Sequence, residues 1–253
     1  PMVPQGGNSS MVGGATPDDS GKAVILSTRR MNSIRLLDAD ASIVVAEAGV
    51  ILAHLHEAAQ SIGRRFPLTL GARGSATIGG LVSTNAGGTQ VLRFGTMRKL
   101  VLGIEAVLPD GSLYEGLAAL KKDNRGYDLT QLLIAAEGTL GLITAASLRL
   151  VPDVQDRAVG WIGIDSPDTA LRLLRQMEAA SGDAIESFEL VPNSCLKLVL
   201  QHIPGTRAPL ESDHPWHVLV DYVHTQAGQA SAASALQNLL AGAMGAGQIS
   251  DAT

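Results

Sequence analysis

The stretch PQGGNSSMVGG, residues 4–14, decides how this 253-residue sequence is interpreted. Two further glycine-rich runs follow it: GARGSATIGG at 71–80, which continues to NAGG at 85–88, and EGTLG at 137–141. Glycine lets backbone amides approach a ligand closely and adopt positive φ, and successive N–H groups in such loops form concave sites for anions. Three runs of this kind predict backbone laid along a long, polyanionic small molecule, for which a dinucleotide is the natural candidate.

The three runs do not match the usual nucleotide-binding fingerprints. A P-loop needs Gly-x-x-x-x-Gly-Lys-Ser/Thr, and no lysine follows any of these glycines at that spacing. A Rossmann fingerprint needs Gly-x-Gly-x-x-Gly between a strand and a helix, and this pattern is also missing. The sequence therefore predicts a dinucleotide held by a different fold.

Composition narrows the class of protein. The 45% hydrophobic content is enough for one large or two smaller domains. The net charge is −5 and basic residues are not concentrated in one segment, which argues against nucleic acid as a partner. The single cysteine, Cys195, excludes an internal disulfide and a multi-cysteine metal site. Because no run of ~18 uncharged apolar residues occurs, no membrane span is predicted. We expect a cytoplasmic protein, or a mitochondrial matrix protein in a eukaryote.

Hydrophobic periodicity predicts an α+β fold in two parts. We place the boundary at Pro152-Asp153, so that residues 1–152 and 153–253 form separate domains. The first part is predicted to contain strands at 23–27, 34–38, 42–47, 100–108, 113–115 and 142–151 and helices at 49–62, 78–86 and 129–136. The second part is predicted to contain strands at 158–164, 184–191 and 216–223 and helices at 169–180, 193–202 and 227–243, with the helices packed on one sheet face.

Both ends of the chain suggest an internal fragment of a longer protein. Only three residues precede the first glycine run, although a ligand-binding loop is normally braced by a strand that enters it. At the other end, residues 247–253 stop where a strand is predicted to begin. We therefore expect the first domain to be incomplete at its N-terminus and the second at its C-terminus.

The glycine runs also carry a family resemblance. The first run resembles the pyrophosphate loop of the flavoenzyme superfamily that includes vanillyl-alcohol oxidase, and the second, continued to Arg93-Phe94-Gly95, is similar to its other flavin loop. Residues 127–130 (YDLT) and 137–144 (EGTLGLIT) are similar to the segment that closes the FAD domain. The resemblance implies a PCMH-type FAD-binding domain followed by an α+β cap domain that covers the substrate.

Within this superfamily, the sequence is most similar to the D-2-hydroxyacid dehydrogenases, which include D-lactate dehydrogenase, the glycolate oxidase catalytic subunit and D-2-hydroxyglutarate dehydrogenase. The stretches at 188–191 (FELV), 202–207 (HIPGTR) and 214–216 (HPW) point to the last of these. The resemblance implies oxidation of a D-2-hydroxy acid, with an electron-transfer flavoprotein, a cytochrome or a quinone as electron acceptor, and a homodimer. The catalytic arginine, lysine and histidine residues of the family, and its divalent metal site, are expected outside this chain.

The resemblance also implies a set of residues that bind FAD non-covalently, since no histidine or tyrosine falls in the glycine runs. The first run would hold the diphosphate, the second would lie beside the isoalloxazine ring and the ribityl chain, and the third would lie near the adenosine half. The predicted set is Pro4, Gly6, Gly7, Asn8, Ser9, Ser10, Gly13, Gly74, Ser75, Gly79, Gly80, Thr84, Asn85, Gly87, Glu137, Gly138 and Ile143.

Structural alternatives accompany these assignments. The first run could be an ordinary turn-rich surface loop, the glycines of the second could serve close packing of a helix on a strand, and Gly138 could cap a helix. Ser10 stands where the family usually has glycine, so this residue is expected to adopt positive φ or the loop to shift. Helix 78–86 is expected to direct its N-terminal amides at the ligand.

Two other functions are kept as alternatives to the dehydrogenase. One is a non-redox flavoenzyme of the same superfamily, such as an alkyl-glycerone-phosphate synthase. The other is a catalytically silent module that binds a nucleotide or a partner protein. His54 and His56 are spaced i, i+2 on a predicted helix and do not share a face, and the later histidines are interpreted as structural or solvent-facing. Cys195 is interpreted as a small core residue on a helix.

Overall fold

The computed structural model describes residues 1–118, 120, 122–226 and 231–253. The chain divides into two compact units, unit 1 with residues 1–153 and unit 2 with residues 154–253. Both units combine helices with sheets, as predicted for an α+β protein. No helix among the described residues has the length and apolar character needed to cross a membrane.

Unit 1 is built on a five-stranded antiparallel sheet with the order β3-β4-β8-β6-β7. Two short pairs flank it: β1 runs parallel to β2, and β5 runs antiparallel to β9. The strands are β1 (Met2–Gln5), β2 (Val24–Ser27), β3 (Ile34–Asp38), β4 (Ile43–Glu47), β5 (Arg64–Arg65), β6 (Val101–Val107), β7 (Leu113–Gly116), β8 (Leu142–Arg149) and β9 (Val151–Pro152). The helices are α1 (Leu52–Ser61), α2 (Ile78–Ser83), α3 (Val91–Phe94), α4 (Met97–Leu100) and α5 (Thr130–Leu133).

The core of unit 1 lies between this sheet and the helices. In α1, Leu52, Leu55 and Ala59 recur at helical spacing and are buried. In α2, Ile78 and Val82 are buried in the same cluster of side chains. This packing holds α2, and the second glycine run that leads into it, against the end of β4.

Several elements of unit 1 differ from the prediction. Helix α2 ends at Ser83, three residues earlier than expected, and α5 is a single turn. The strand predicted over 142–151 is divided into β8, which pairs with β4 and β6, and β9, which pairs with β5. The sequence analysis missed β1, because four residues that include a proline are too few to show a periodicity. This strand is defined by its pairing with β2.

Unit 2 is a four-stranded antiparallel sheet with the order β11-β12-β10-β13. Its elements are β10 (Asp156–Ile164), α6 (Pro167–Ser181), a 3₁₀ turn (Gly182–Ala184), β11 (Ile185–Pro192), α7 (Asn193–His202), β12 (Trp216–His224), α8 (Ala232–Gly245) and β13 (Asp251–Ala252). Residues 227–230, where the last helix was predicted to begin, lie outside the described residues.

One face of the sheet in unit 2 is covered by helices, as predicted. Leu173 and Met177 of α6 and Leu236 of α8 share a buried cluster with Ile162 of β10 and Val220 of β12. The ten residues of α7 are different, because none of them is buried. Cys195 lies on α7 and is exposed, so its interpretation as a core residue is wrong.

Candidate functional site

The three glycine runs meet around one cavity in unit 1, with a volume of about 260 Å³. Gly6 of the first run lies against the Thr77 hydroxyl, and Gly7 lies against the Ser75 carbonyl oxygen. Gly138 of the third run has φ +79 and lies so close to the first run that a Cβ there would be 2.8 Å from Cγ of Pro4. Segments that are distant in sequence are thus brought together by contacts that only glycine permits.

Most of the predicted site residues line this cavity. They are Pro4, Gly6, Gly7, Asn8, Ser9, Ser10, Gly79, Gly80, Thr84, Glu137, Gly138 and Ile143. The cavity lining does not include Gly13, Gly74, Ser75, Asn85 and Gly87. That any of these residues binds a cofactor stays a prediction.

The first run presents a row of unused donors. Within the described part of the chain, the backbone amides of residues 6–10 donate no hydrogen bond to protein. Gly6 and Gly7 are half-buried, whereas residues 8–10 are exposed to solvent. Half-buried amides need a partner, and a row of free amides suits an anion. The run is anchored behind this row by Gln5, whose side-chain amide donates to the Ala15 carbonyl at 2.8 Å and whose own carbonyl accepts from Thr28.

Of the two expectations for Ser10, positive φ at this residue or a shift of the loop, the first is not met. Positive φ occurs at Asn8, with φ +49, and not at Ser10. Asparagine tolerates the left-handed region better than most residues do. The loop therefore accommodates serine where the family usually has glycine.

The expectation that the first amides of α2 face the ligand is wrong for two of them. The Ile78 amide donates to the Val50 carbonyl at 2.9 Å and the Gly79 amide to the Ala48 carbonyl at 2.8 Å. A Cβ on Gly79 would lie 2.6 Å from Cβ of Ala48. Close packing of the helix on the end of β4, which was the structural alternative, accounts for glycine at this position.

Other residues of the predicted set are engaged with protein or lie in the open. The Asn85 side chain accepts from the Arg98 amide at 2.9 Å, and a Cβ on Gly87 would be 3.1 Å from Val91. A Cβ on Gly74 would have no neighbour within 4 Å.

Ile143 is paired with Ala106 of β6 and lies beyond the part of β8 that pairs with β4. The backbone edge of Ile143 on the β4 side is thus left uncovered by that strand.

Glu137 is the one charged side chain among the residues that line the cavity, and no lysine or arginine is among them. Helix α5 ends at Leu133, so Gly138 does not serve as its cap. A cavity without cations must hold a diphosphate through amides and hydroxyls. A carboxylate in the same wall suits the hydroxyl groups of a ribose, to which acidic side chains commonly hydrogen-bond in dinucleotide sites.

Sequence reasoning missed further lining residues. They are Gln5, Gly14, Ala15, Thr28, Leu70, Ala72, Ala76, Thr77, Leu81, Ser83, Ala86, Gly141 and Leu142. Seven of them lie inside the quoted glycine runs, so a wider selection there would have included them: Gln5, Gly14, Ala72, Ala76, Thr77, Ala86 and Gly141. Nothing in the local sequence around Thr28 and Leu70 indicates that they line a cavity.

Two observations suit the cavity to one end of a dinucleotide cofactor. The amides of the first run lack protein partners among the described residues, and Gly6 and Gly7 let this run lie directly against the second run, because a Cβ on either would overlap Thr77 or Ser75. The unpaired amides leave hydrogen-bonding capacity that a diphosphate can use.

In unit 2, His217 is held as a neutral ring. The Trp161 indole donates to Nδ1 of His217 at 3.1 Å, and Nε2 of His217 lies 3.3 Å from Oδ1 of Asn193. Because an indole nitrogen is only a donor, Nδ1 of His217 carries no proton. Burial, with the neighbouring His214 as a smaller cause, lowers the pKa of His217 from its ordinary value of 6.5, against an opposing effect of Asp213.

Acidification is therefore expected to destabilise unit 2. Below about pH 6.5, the unfolded chain binds a proton at His217 that the folded chain does not, so the free energy of unfolding falls as the pH falls. Urea unfolding followed by the fluorescence of Trp161 and Trp216, both in unit 2, should give a lower midpoint at pH 5.5 than at pH 7.5. His217→Gln should flatten this dependence, and an equally steep dependence in that variant would contradict the assignment.

No group of three histidine, cysteine or carboxylate side chains among the described residues is arranged to hold a metal ion. Nε2 of His56, on α1, lies 3.0 Å from the Leu68 carbonyl oxygen. Cys195 and the histidines thus contribute nothing to the cavity of unit 1, which remains the candidate site.

The first two glycine runs lie in a region that matches a known protein family. Residues 1–116 match the family model described as an FAD binding domain. The mitochondrial D-2-hydroxyglutarate dehydrogenase of Rattus norvegicus is 40% identical over 252 residues, which cover 99% of this chain and 46% of the rat protein. Its counterpart in Bos taurus is 42% identical over 220 residues, covering 86% and 39%. The D-2-hydroxyglutarate–pyruvate transhydrogenase of Saccharomyces cerevisiae is 35% identical over 222 residues, covering 87% and 44%.

The chain thus spans less than half the length of these relatives. Among solved structures, two of alkyldihydroxyacetonephosphate synthase superpose with TM-scores of 0.74 and 0.76 at 17% and 16% identity, over 95% and 96% of this chain and 44% and 47% of theirs. At such identity the likeness shows the fold alone. The predicted resemblance to PCMH-type FAD enzymes, and the predicted fold class, are confirmed.

Proposed function

We propose that the protein is an FAD-dependent oxidoreductase that oxidises a D-2-hydroxy acid to the 2-oxo acid. The observation that supports this most directly is the convergence of three glycine runs on one cavity, the first two of which lie within residues 1–116, the part that matches an FAD binding domain. The names of the relatives support the substrate class, since those at 40% and 42% identity are D-2-hydroxyglutarate dehydrogenases. D-Lactate and glycolate belong to the same class of substrate.

Different residues of the cavity would bind different parts of FAD. The unpaired amides of residues 6–10 would hold the diphosphate, and Glu137 would accept hydrogen bonds from ribose hydroxyls. Gly80 would leave room beside the ring system or the ribityl chain. When bound, FAD supplies the two-electron redox chemistry and accepts the hydride from the carbinol carbon of the substrate. Among the described residues that line the cavity, none is histidine, cysteine or tyrosine, so we propose non-covalent binding.

The remaining parts of the proposal concern the whole protein. The electron acceptor would be an electron-transfer flavoprotein, a cytochrome or a quinone, and the protein would act as a homodimer. A divalent metal site would belong to residues outside this chain. The mitochondrial relatives support the mitochondrial matrix as the location in a eukaryote, and the cytoplasm is proposed otherwise.

The test is the visible absorption spectrum of the purified full-length protein before and after anaerobic addition of D-2-hydroxyglutarate. A flavin spectrum that bleaches is the expected result, with L-2-hydroxyglutarate as the stereochemical control that leaves it unchanged. D-Lactate and glycolate, added in parallel, would rank the substrates.

Two outcomes would contradict the proposal in different ways. A flavin that none of the three acids bleaches would favour a non-redox flavoenzyme of the same fold. A colourless protein that cannot be reconstituted with FAD would favour a catalytically silent binding module.

A further inference from the structure

Arg98 of α4 connects the second glycine run to the third, although it does not line the cavity itself. Its backbone amide donates to Oδ1 of Asn85, in the second run, at 2.9 Å. Its guanidinium donates to the carbonyl oxygens of Gln131 and Ile134 at 2.8 and 2.9 Å, and to Oε1 of Gln131 at 2.7 Å. Ile134 leads into residues 135–138, where the third run begins. One side chain therefore links two of the segments that form the cavity.

The guanidinium takes the place of a helix cap on α5. This helix is a single turn that ends at Leu133. Carbonyl groups at the end of a helix lack partners inside it, and an arginine side chain can supply the missing donors. Ile134 is 2% exposed, so its carbonyl would be costly to leave unpaired. Arg98 thus fixes the point at which the chain leaves α5.

The segment that follows, residues 135–138, has an unfavourable backbone conformation. Ala135 has φ +68, Glu137 has φ +49 and Gly138 has φ +79. Left-handed φ is costly for residues other than glycine, and they keep it only where their surroundings hold them. A segment with two such residues among four would relax to another conformation if its contacts were removed.

Two sets of contacts hold this segment. The amides of Ala135 and Glu137 donate to the carbonyls of the last two residues of α2, at 3.2 and 3.0 Å. Arg98 binds the carbonyl of Ile134, directly before the segment. As a result the Glu137 carboxylate lies beside the first run, where its Oε2 would be 3.4 Å from a Cβ on Gly14.

We propose that Arg98 is a positioning residue for the cofactor site: it keeps the Glu137 carboxylate where this group accepts hydrogen bonds from a ribose of the bound dinucleotide. This inference rests on the proposed FAD function and extends it to a residue outside the glycine runs and outside the cavity. Glu137 is exposed and lines the cavity, so a ligand can reach it. Asn85, which does not line the cavity, acts by orienting Arg98.

The test compares two ligands of the flavin-free, full-length protein by calorimetry: ADP, and 2′,3′-dideoxy-ADP, which lacks both ribose hydroxyls. The wild type should prefer ADP by about 10-fold, the difference expected for a hydrogen bond to a charged group. Glu137→Ala should lose this preference, because the acceptor is removed. Arg98→Gln should lose most of it although Glu137 is still present, because the released segment no longer keeps the carboxylate at the cavity.

Further variants separate positioning from stability. Arg64→Gln is the matched control, because Nε of Arg64 also donates to a backbone carbonyl of unit 1, that of Ala39 at 3.0 Å, and Arg64 does not line the cavity. Whatever its melting temperature, this variant should keep the wild-type preference for ADP. If Arg98→Gln does not fold, Arg98→Lys replaces it, since lysine keeps the charge but lacks the planar fork that binds two carbonyls. The lysine variant should show a reduced preference.

The results that would overturn the role of Arg98 are distinct from those that would overturn the proposed function. A wild-type preference for ADP in the folded Arg98 variant would overturn the inference, and so would an equal loss of preference in Arg64→Gln. If the wild type binds FAD but does not distinguish the two nucleotides, the roles of Glu137 and Arg98 fall and the proposed function stands. If the wild type fails to bind FAD, the proposed function falls as well.

Discussion

Replacing Gly7 with alanine is expected to abolish flavin retention while leaving the fold of unit 1 intact. A Cβ on Gly7 would overlap the Ser75 carbonyl oxygen and lie 3.2 Å from Cα of Ala76. Both obstacles are backbone, which cannot rotate aside, so the first run must move away from the second. That movement takes the unpaired amides of residues 6–10 away from the cavity. Hydrogen bonds to charged groups contribute ~1.5–3 kcal/mol each, so the loss of two corresponds to at least about a 100-fold weaker affinity.

The fold should survive because the first run lies outside the core of unit 1. The buried core cluster of this unit begins at Val44 and contains no residue of the first run. The measurements are the flavin-to-protein absorbance ratio after gel filtration and the melting temperature of the apoprotein. Gly71→Ala is the matched control, since a Cβ there would meet nothing within 4 Å. Flavin content in Gly7→Ala equal to that in Gly71→Ala would contradict the placement of the diphosphate at the first run.

Local sequence signals were sufficient for most of the regular elements. The strand Ile34–Asp38 and the helix Asn193–His202 have the predicted bounds. In each case a run of apolar residues with clear spacing is delimited by turn formers or by proline, and neighbours in space are not needed to recognise it. The glycine runs were informative for the same reason, because a backbone that must approach a ligand or another backbone needs glycine wherever it lies.

The features of the fold and of the site that were not predicted depend on contacts between residues that are distant in sequence. Thr28 and Leu70 line the cavity because tertiary packing brings them there, and nothing in their local sequence indicates it. The amides of Ile78 and Gly79 looked available at the start of a helix, but the Val50 and Ala48 carbonyls take them. On α7, Cys195 was interpreted as a core residue because cysteine is commonly buried, yet no residue of this helix is buried. Periodicity shows which face of a helix is apolar and does not show whether a partner covers that face.

Gly79 and Gly80 are adjacent glycines with the same sequence signal, and their substitution by alanine is expected to have opposite effects on stability. A Cβ on Gly79 would lie 2.6 Å from Cβ of Ala48 and 3.1 Å from its Cα and carbonyl oxygen, in the fully packed contact between α2 and the end of β4. Overpacking of a core costs ~1–3 kcal/mol, and a backbone obstacle favours the upper end. For a domain of this size, this corresponds to a fall in melting temperature of roughly 6–12 °C.

Gly80 faces the cavity, where a Cβ would have only Oγ1 of Thr77 as a neighbour, at 3.4 Å. Alanine is favoured over glycine inside a helix by ~1 kcal/mol, so Gly80→Ala should melt at the wild-type temperature or above it while its affinity for FAD falls. Gly79→Ala should instead lose stability in the absence of any ligand. Thermal unfolding of the two apoproteins, followed by titration with FAD, separates packing from cofactor contact. If Gly79→Ala were as stable as the wild type and defective only in FAD binding, Gly79 would be a cofactor contact and the packing of α2 on β4 would not explain its identity.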